Sequence, residues 1–331
     1  ALNSRKNTRV MGCCASKPES SAASLGGVRN QITKKNIHSR VQNWKSTGVV
    51  SLRDCSLTHI PPETGELESV KTLDATNNRI ADIPESLFES VGANIQRLVL
   101  RKNALKTLDF MFVHLTRLKV LDVSFNSIES IDWKLMSTHA QKLKILNASH
   151  NRLKEVDVEQ LGKMEMLEDV DVSGNAKLER LGSSCDTTDD GSKASSSTPN
   201  ATTTGEEEVR KWPNLTMFAA TKCNIHSISR IFLPPKLKTL LLDDNPHLKL
   251  LPRDLFQKCL LLQRVSLHNC QSIDIKSIEK MNGYSAFLEK VQQSHDKKIK
   301  GGVLLGSGYG DDGLDRRTRG GDERLDGLKI S

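Results

Sequence analysis

Apolar positions recur along this chain with a period too long for a single helix or strand. The stretch Leu118-Lys-Val-Leu121-Asp-Val123-Ser-Phe-Asn126-Ser-Ile128 reads L-x-x-L-x-L-x-x-N-x-L, and the same unit returns over most of the 331 residues. Aligned on the asparagine, the units fall at Asn78, Asn103, Asn126, Asn151, Asn175 and Asn245, with Cys55, Cys223 and Cys270 in the same slot elsewhere. Uninterrupted neighbours are 22 to 25 residues apart.

That period is the one at which short strands stack into a solenoid. About nine units therefore predict an α/β leucine-rich-repeat solenoid, a horseshoe with a parallel sheet on its concave side and helical caps at both ends. In each unit L-x-L predicts a short strand whose leucines enter the core, as Leu98 and Leu100 or Leu121 and Val123 do. The asparagine then turns the chain, and its amide is expected to satisfy backbone groups of the turn and of adjacent units. Cysteine at 55, 223 and 270 can donate only weakly through S–H, so the ladder is expected to be weaker there. Segments such as Ile83-Pro-Glu-Ser-Leu87-Phe88 and Leu251-Pro-Arg-Asp-Leu255-Phe256 read as convex pieces, each a short helix or 3₁₀ turn started by proline.

Variable positions of the strands carry function in such a scaffold. On the concave face they include Asp74, Arg97, Arg101, Asp122, Asn147, Asp169, Asp171, Leu241, Asp243 and His268, the candidates for partner contact. The aspartates make the middle acidic, Arg97 and Arg101 interrupt it, and Phe125 and His150 add a neighbouring edge. A solvated face of mixed charge is the plain alternative for any one of them.

Charge changes the picture at one end. The net charge of +8 is accounted for by residues 1–50, which hold nine Lys and Arg against a single Glu19. With aromatic residues at 4% and no basic stripe in the repeats, nucleic acid is not the expected partner. Within the basic segment, Met11-Gly12-Cys13-Cys14-Ala15-Ser16-Lys17 fits the pattern for N-myristoylation at Gly12, with residues 1–10 read as an upstream, non-native leader. A single myristoyl chain anchors only marginally, and Cys13 and Cys14 are placed for palmitoylation. Lys17, Arg29, Lys34, Lys35, Arg40 and Lys45 can add attraction to an anionic leaflet. Residues 11–27 read as a flexible acylated tether and 28–46 as an amphipathic N-terminal cap helix, with Val28, Ile32, Val41 and Trp44 near helical spacing.

The repeats then run over 47–275. Between about 182 and 211 the pattern stops in a Ser/Thr/Asp/Gly-rich stretch that cannot bury a core. The step from Asn175 to Cys223 is twice the repeat, but the stretch lacks L-x-x-L-x-L, which favours a disordered insertion over an eroded tenth unit. Its many hydroxyls make it a place for phosphorylation. Residues 276–299 have helical apolar spacing broken at Asn282-Gly283 and read as the C-terminal cap, and 300–331 as a disordered tail. Gly306-Ser-Gly308-Tyr-Gly310 lacks the flanks and the G-K-[ST] ending of a phosphate loop. The seven cysteines are odd in number and lack metal-type pairing. A reducing, intracellular setting is expected, with no metal, no cofactor and no small-molecule substrate.

The two flanks resemble one family. Met11-Gly-Cys-Cys-Ala-Ser-Lys17 and Arg40-Val-Gln-Asn-Trp44-Lys-Ser-Thr-Gly-Val-Val-Ser-Leu-Arg-Asp54 resemble the plant and protist relatives of leucine-rich-repeat-containing protein 57. So do Leu262-Gln-Arg-Val-Ser-Leu-His-Asn269, Met281-Asn-Gly-Tyr-Ser-Ala-Phe287 and Asp296-Lys-Lys-Ile299 with Val303-Leu-Leu-Gly-Ser307. The resemblance implies an acylated, intracellular, non-enzymatic repeat protein. The chain departs from that pattern in the insertion, the cysteines of the ladder and the Asp/Arg-rich end. Together the readings predict a membrane-tethered scaffold, cytoplasmic and attached to the cytosolic face of the plasma membrane or an endomembrane. It would bind a protein partner on its concave face. The alternative is a regulatory subunit of a signalling enzyme, a phosphatase or a small GTPase.

Overall fold

A computed structural model describes residues 34–67, 69–182, 212–229 and 232–300. Twelve short strands occur among them. They are β1 (Val49–Ser51), β2 (Thr72–Asp74), β3 (Arg97–Val99), β4 (Val120–Asp122), β5 (Ile145–Asn147) and β6 (Glu155–Val156). There follow β7 (Asp169–Asp171), β8 (Arg180–Leu181), β9 (Met217–Ala219), β10 (Ser227–Ile228), β11 (Thr239–Leu241) and β12 (Arg264–Ser266). Nine of them form one parallel sheet in the order β1-β2-β3-β4-β5-β7-β9-β11-β12. The remaining three, β10-β8-β6, form a small parallel sheet that the leucine pattern does not announce.

Register follows the repeat. The central leucine or equivalent of each strand pairs with its counterpart, as Leu73 with Leu98, Leu98 with Leu121 and Leu121 with Leu146. These residues are buried in one continuous aliphatic core, which grows by adding units rather than by thickening. Strands stay short because each one ends in a sharp turn. Three residues past the last strand residue, the backbone enters the left-handed region at Asn77, Lys102, Phe125, His150, Lys222, Asp244 and Asn269, and at Gly174 with φ +73°. A non-glycine residue held there costs roughly 1–2 kcal/mol, so something must over-determine the turn.

The residue after each turn does so. Asn151 donates through Nδ2 to the carbonyls of Val123 and Ala148, and its Oδ1 accepts from the Ile128 amide at 3.1 Å. Asn78, Asn103, Asn126, Asn175 and Asn245 repeat this pattern, each bonding its own turn and the preceding unit. At the cysteine positions the contacts are longer or fewer, and Cys55 Sγ also accepts from the Arg40 guanidinium at 3.9 Å. Cys223 Sγ reaches the Val172 carbonyl at 3.6 Å and Cys270 Sγ that of Leu242 at 3.1 Å. Cys55 Sγ faces the Arg53 carbonyl.

The convex side is assembled from short helices and 3₁₀ turns: α2 (Glu85–Val91), α3 (Trp133–His139), α4 (Val158–Gly162) and α5 (Leu255–Lys258) belong to it, after α1 (Lys34–Thr47) at the N-terminal end. Proline precedes α2, and aspartate caps α3 and α4 through its side chain. At the first end, Val41 and Trp44 of α1 are buried in the common core; Val28 and Ile32 lie outside the described residues. At the other end stand α6 (Ile275–Glu279) and α7 (Tyr284–Lys300), separated at Gly283 with φ +84°. Tyr284 and Phe287 pack on Phe256 and close the core.

β7 pairs directly with β9, and β8 with β10. Residues 183–211, where the sequence predicts a disordered insertion, lie outside the described residues. Trp212 resumes the fold by burying its ring against Gly162 and Phe232, its amide donating to the Gly162 carbonyl at 3.0 Å. The acylation candidates Gly12, Cys13 and Cys14 and the tail beyond 300 lie outside the described residues.

Candidate protein-binding face

Along each strand the residues flanking the buried leucine point to the opposite side of the sheet, by the two-residue period of extended chain. Neighbouring units thus align columns of side chains on one face. The first column runs through Thr72, Arg97, Val120, Ile145, Asp169, Met217 and Thr239, all half-buried. The second runs through Asp74, Val99, Asp122, Asn147, Asp171, Ala219 and Leu241.

Seven of the ten candidates named from sequence divide into two groups here; of the other three, Arg101 and Asp243 are half-buried and His268 is exposed. Arg97, Asp122, Asn147 and Asp169 are half-buried, with accessible surface on the middle of the face. Leu241 is 3% exposed, and Asp74 and Asp171 are buried with it, which leaves these three little area for a partner. Strands less than 5 Å apart let flanking columns cover them. Sequence spacing identified the column but not how deep each member sits.

The acidic residues also hold the turn. Asp122 Oδ1 accepts from the Ser124 amide at 3.0 Å and from the Ser124 hydroxyl at 2.6 Å. Asp74 does the same with Thr76, and Asn147 with Ser149. Asp171 accepts from the Ser173 amide, and the Ser173 hydroxyl in turn accepts from the Thr221 amide of the next unit. This is the Asx turn, and it needs an oxygen acceptor rather than a charge. Asp74 is in addition paired with Arg53 at 2.5 Å. Asp243 links forward, accepting from the Ser266 hydroxyl and the His268 amide. Asp169 accepts from the Thr216 hydroxyl at 3.1 Å.

Beside the sheet face the left-handed column builds a stack. The Arg101 guanidinium lies 5.1 Å from the Phe125 ring centroid, and Phe125 stacks on His150 at 4.2 Å with planes 13° apart. Phe125 is 37% exposed. Gly174 completes the row, because a Cβ there would sit 2.6 Å from His150 Nδ1. Phe125 and His150 were legible as an edge; their contact with Arg101 arises only when three units stack. Val120 and Ile145, a half-buried apolar pair among the polar candidates, were missed. Their signal was present in the residue before each strand leucine.

Burial quiets three of the described cysteines. Burial pushes Cys223 up from 9.0 to about 11 and Cys259 to about 12, and it raises Cys270 as well, so these are structural thiols rather than nucleophiles. No helix among the described residues is long and apolar enough to cross a membrane.

The leucine rich repeat family model matches residues 68–128 and 116–176. The chain carries a leucine-rich-repeat domain. Plant intracellular Ras-group-related LRR protein 7 of Oryza sativa subsp. japonica is 39% identical over 99 residues, covering 30% of this chain and 31% of that protein. Plant intracellular Ras-group-related LRR protein 8 of the same organism is 32% identical over 102 residues, 30% of this chain and 26% of its own length. The matched stretch thus spans less than a third of either curated relative. Among solved structures, the leucine-rich repeat domain of the type III effector XopL is similar in fold, with TM-score 0.52 and 17% identity over 75% of this chain and 79% of that one. A stacked leucine-rich-repeat array presents the kind of extended face that repeat proteins use for binding.

Proposed function

We propose that this protein is a scaffold held at the cytosolic face of a membrane, with its leucine-rich-repeat sheet face turned to a protein partner. The observation that carries the reading is the middle of that face, where Arg97, Asp122, Asn147 and Asp169 surround Val120 and Ile145. A half-buried apolar centre with a polar surround is the anatomy of a protein interface. Anchoring rests on the Gly12-Cys13-Cys14 start and the basic segment behind it. The resemblance of both flanks to the leucine-rich-repeat-containing protein 57 family points the same way.

The face is tested without harming the fold by Asp122→Asn together with Asp169→Asn, which retain an oxygen acceptor for Ser124 and Thr216 and remove only charge. Recovery of the partner from native cells should fall at least several-fold; undiminished recovery would remove this face from the account. The anchor is tested by the intact mass of the N-terminal peptide from the same cells. A peptide starting at Gly12 and carrying myristate is expected, and an unmodified Gly12 would leave the scaffold untethered.

A second reading, a regulatory subunit of a signalling enzyme, has one observation in its favour: the curated relatives are named for a Ras group. Small-GTPase or phosphatase activity co-purifying with the wild type but not with the Asp122, Asp169 double variant would favour it.

A further inference from the structure

We propose that the convex side holds a site for one divalent transition-metal cation of the zinc type, formed by Glu85, Glu89 and His114 from two consecutive repeats. Glu85 opens α2 and Glu89 lies one turn on, so the two carboxylates share an exposed edge while Leu87, Phe88 and Val91 enter the core. His114 ends the 3₁₀ turn Asp109–Val113 of the next unit. Its position is restrained by Gly92, where an added Cβ would lie 2.9 Å from the His114 Cβ. Donor atoms of the three residues lie within 4.8 Å of one another.

Two features distinguish this cluster from an ordinary surface ion pair. His114 Nε2 is sealed from solvent and makes no hydrogen bond within the protein, although buried ring nitrogens are normally paired. Its distance to Glu85 Oε1 is 3.6 Å, too long for a hydrogen bond. It is, however, close to the ~3.4 Å edge of a tetrahedron whose metal–ligand bonds are ~2.1 Å. The imidazole nitrogen excludes magnesium and calcium as preferred occupants, since both select all-oxygen shells. Imidazole with two carboxylates and a water in fourth place suits zinc. Bound there, the ion would strap α2 to the following 3₁₀ turn on the side away from the sheet face.

The test is zinc titration of the full chain by calorimetry, followed by cobalt substitution read by visible absorption. Nine histidines and seven cysteines are present in the chain, so uptake is compared between variants rather than read alone. One equivalent bound by the wild type should vanish in His114→Gln. In Glu85→Gln with Glu89→Gln its affinity should drop by at least the roughly 10- to 100-fold that even outer-shell partners are worth. Both glutamates are exposed, so that double variant keeps its fold and decides the matter. Equal micromolar zinc uptake by the wild type and the double glutamine variant would overturn the site, as would no zinc uptake by the wild type.

Discussion

The units from β2 to β7 and those from β9 to β12 share one sheet but secure their turns differently. In the first group every ladder position is asparagine, and the Asp/Asn-x-Ser/Thr turn recurs at Asp74, Asp122, Asn147 and Asp171. In the second group the ladder alternates Cys223, Asn245, Cys270, and the strand-end acceptor gives way to Ala219, Leu241 and Ser266. An amide satisfies groups strongly in both directions, whereas a thiol donates and accepts only weakly. The later units carry the denser aromatic packing, through Trp212 and Phe218 on Phe232 and through Phe256 on Tyr284 and Phe287, against Phe88 on Phe110 in the earlier ones. One backbone turn can thus be stabilised from the polar side or from the core side.

The largest expected effect comes from breaking the polar solution where it is complete. Asn151→Ala would strand the Ile128 amide and the Val123 and Ala148 carbonyls in a buried place, a loss of roughly 3 kcal/mol from at least two unmet hydrogen bonds. Urea denaturation measures it, and a loss below about 1 kcal/mol would mean that the ladder amides are replaceable by water.

Next in size is an alkaline weakness confined to the second group. Burial pushes the folded-state thiols of Cys223 and Cys259 up to about 11 and about 12 from 9.0. Above pH 9 the unfolded chain releases these protons while the folded one retains them, so stability is intact below pH 9 and declines toward pH 12. Amide exchange should then quicken in β9–β12 before β2–β5. Uniform loosening along the array would contradict the assignment.

A smaller effect should convert one solution into the other. Cys223→Asn supplies a stronger acceptor and is expected to stabilise the chain by about 1 kcal/mol. Thermal or urea midpoints check it; destabilisation would show that the added volume beside Val172 and Thr221 outweighs the new bonds.

The repeat and its period were legible from the chain because a solenoid writes its core as a simple recurrence: Leu98, Leu121 and Leu146 sit at equivalent places and pair in register. The ladder asparagines were legible for the same reason. Other features were not. The three-stranded second sheet is made of pairs such as Arg180–Leu181 and Ser227–Ile228, too short for alternation to register. The shared duty of Asp122, as surface charge and as acceptor for Ser124, depends on a turn geometry that residue types alone do not express.

What the sequence alone determined is the one-dimensional content: a repeating strand-and-turn unit, its leucine core, its asparagine ladder and the columns from which a binding face is drawn. Only the tertiary structure decided which members of those columns are reachable, burying Leu241 and Asp171 while leaving Asp122 and Asp169 accessible. It also brought Arg101, Phe125 and His150 into one stack, and Glu85, Glu89 and His114 into one cluster. The physical reason is stacking distance: units about two dozen residues apart in sequence lie within ~5 Å across the sheet, so exposure and side-chain partnership belong to the assembled array.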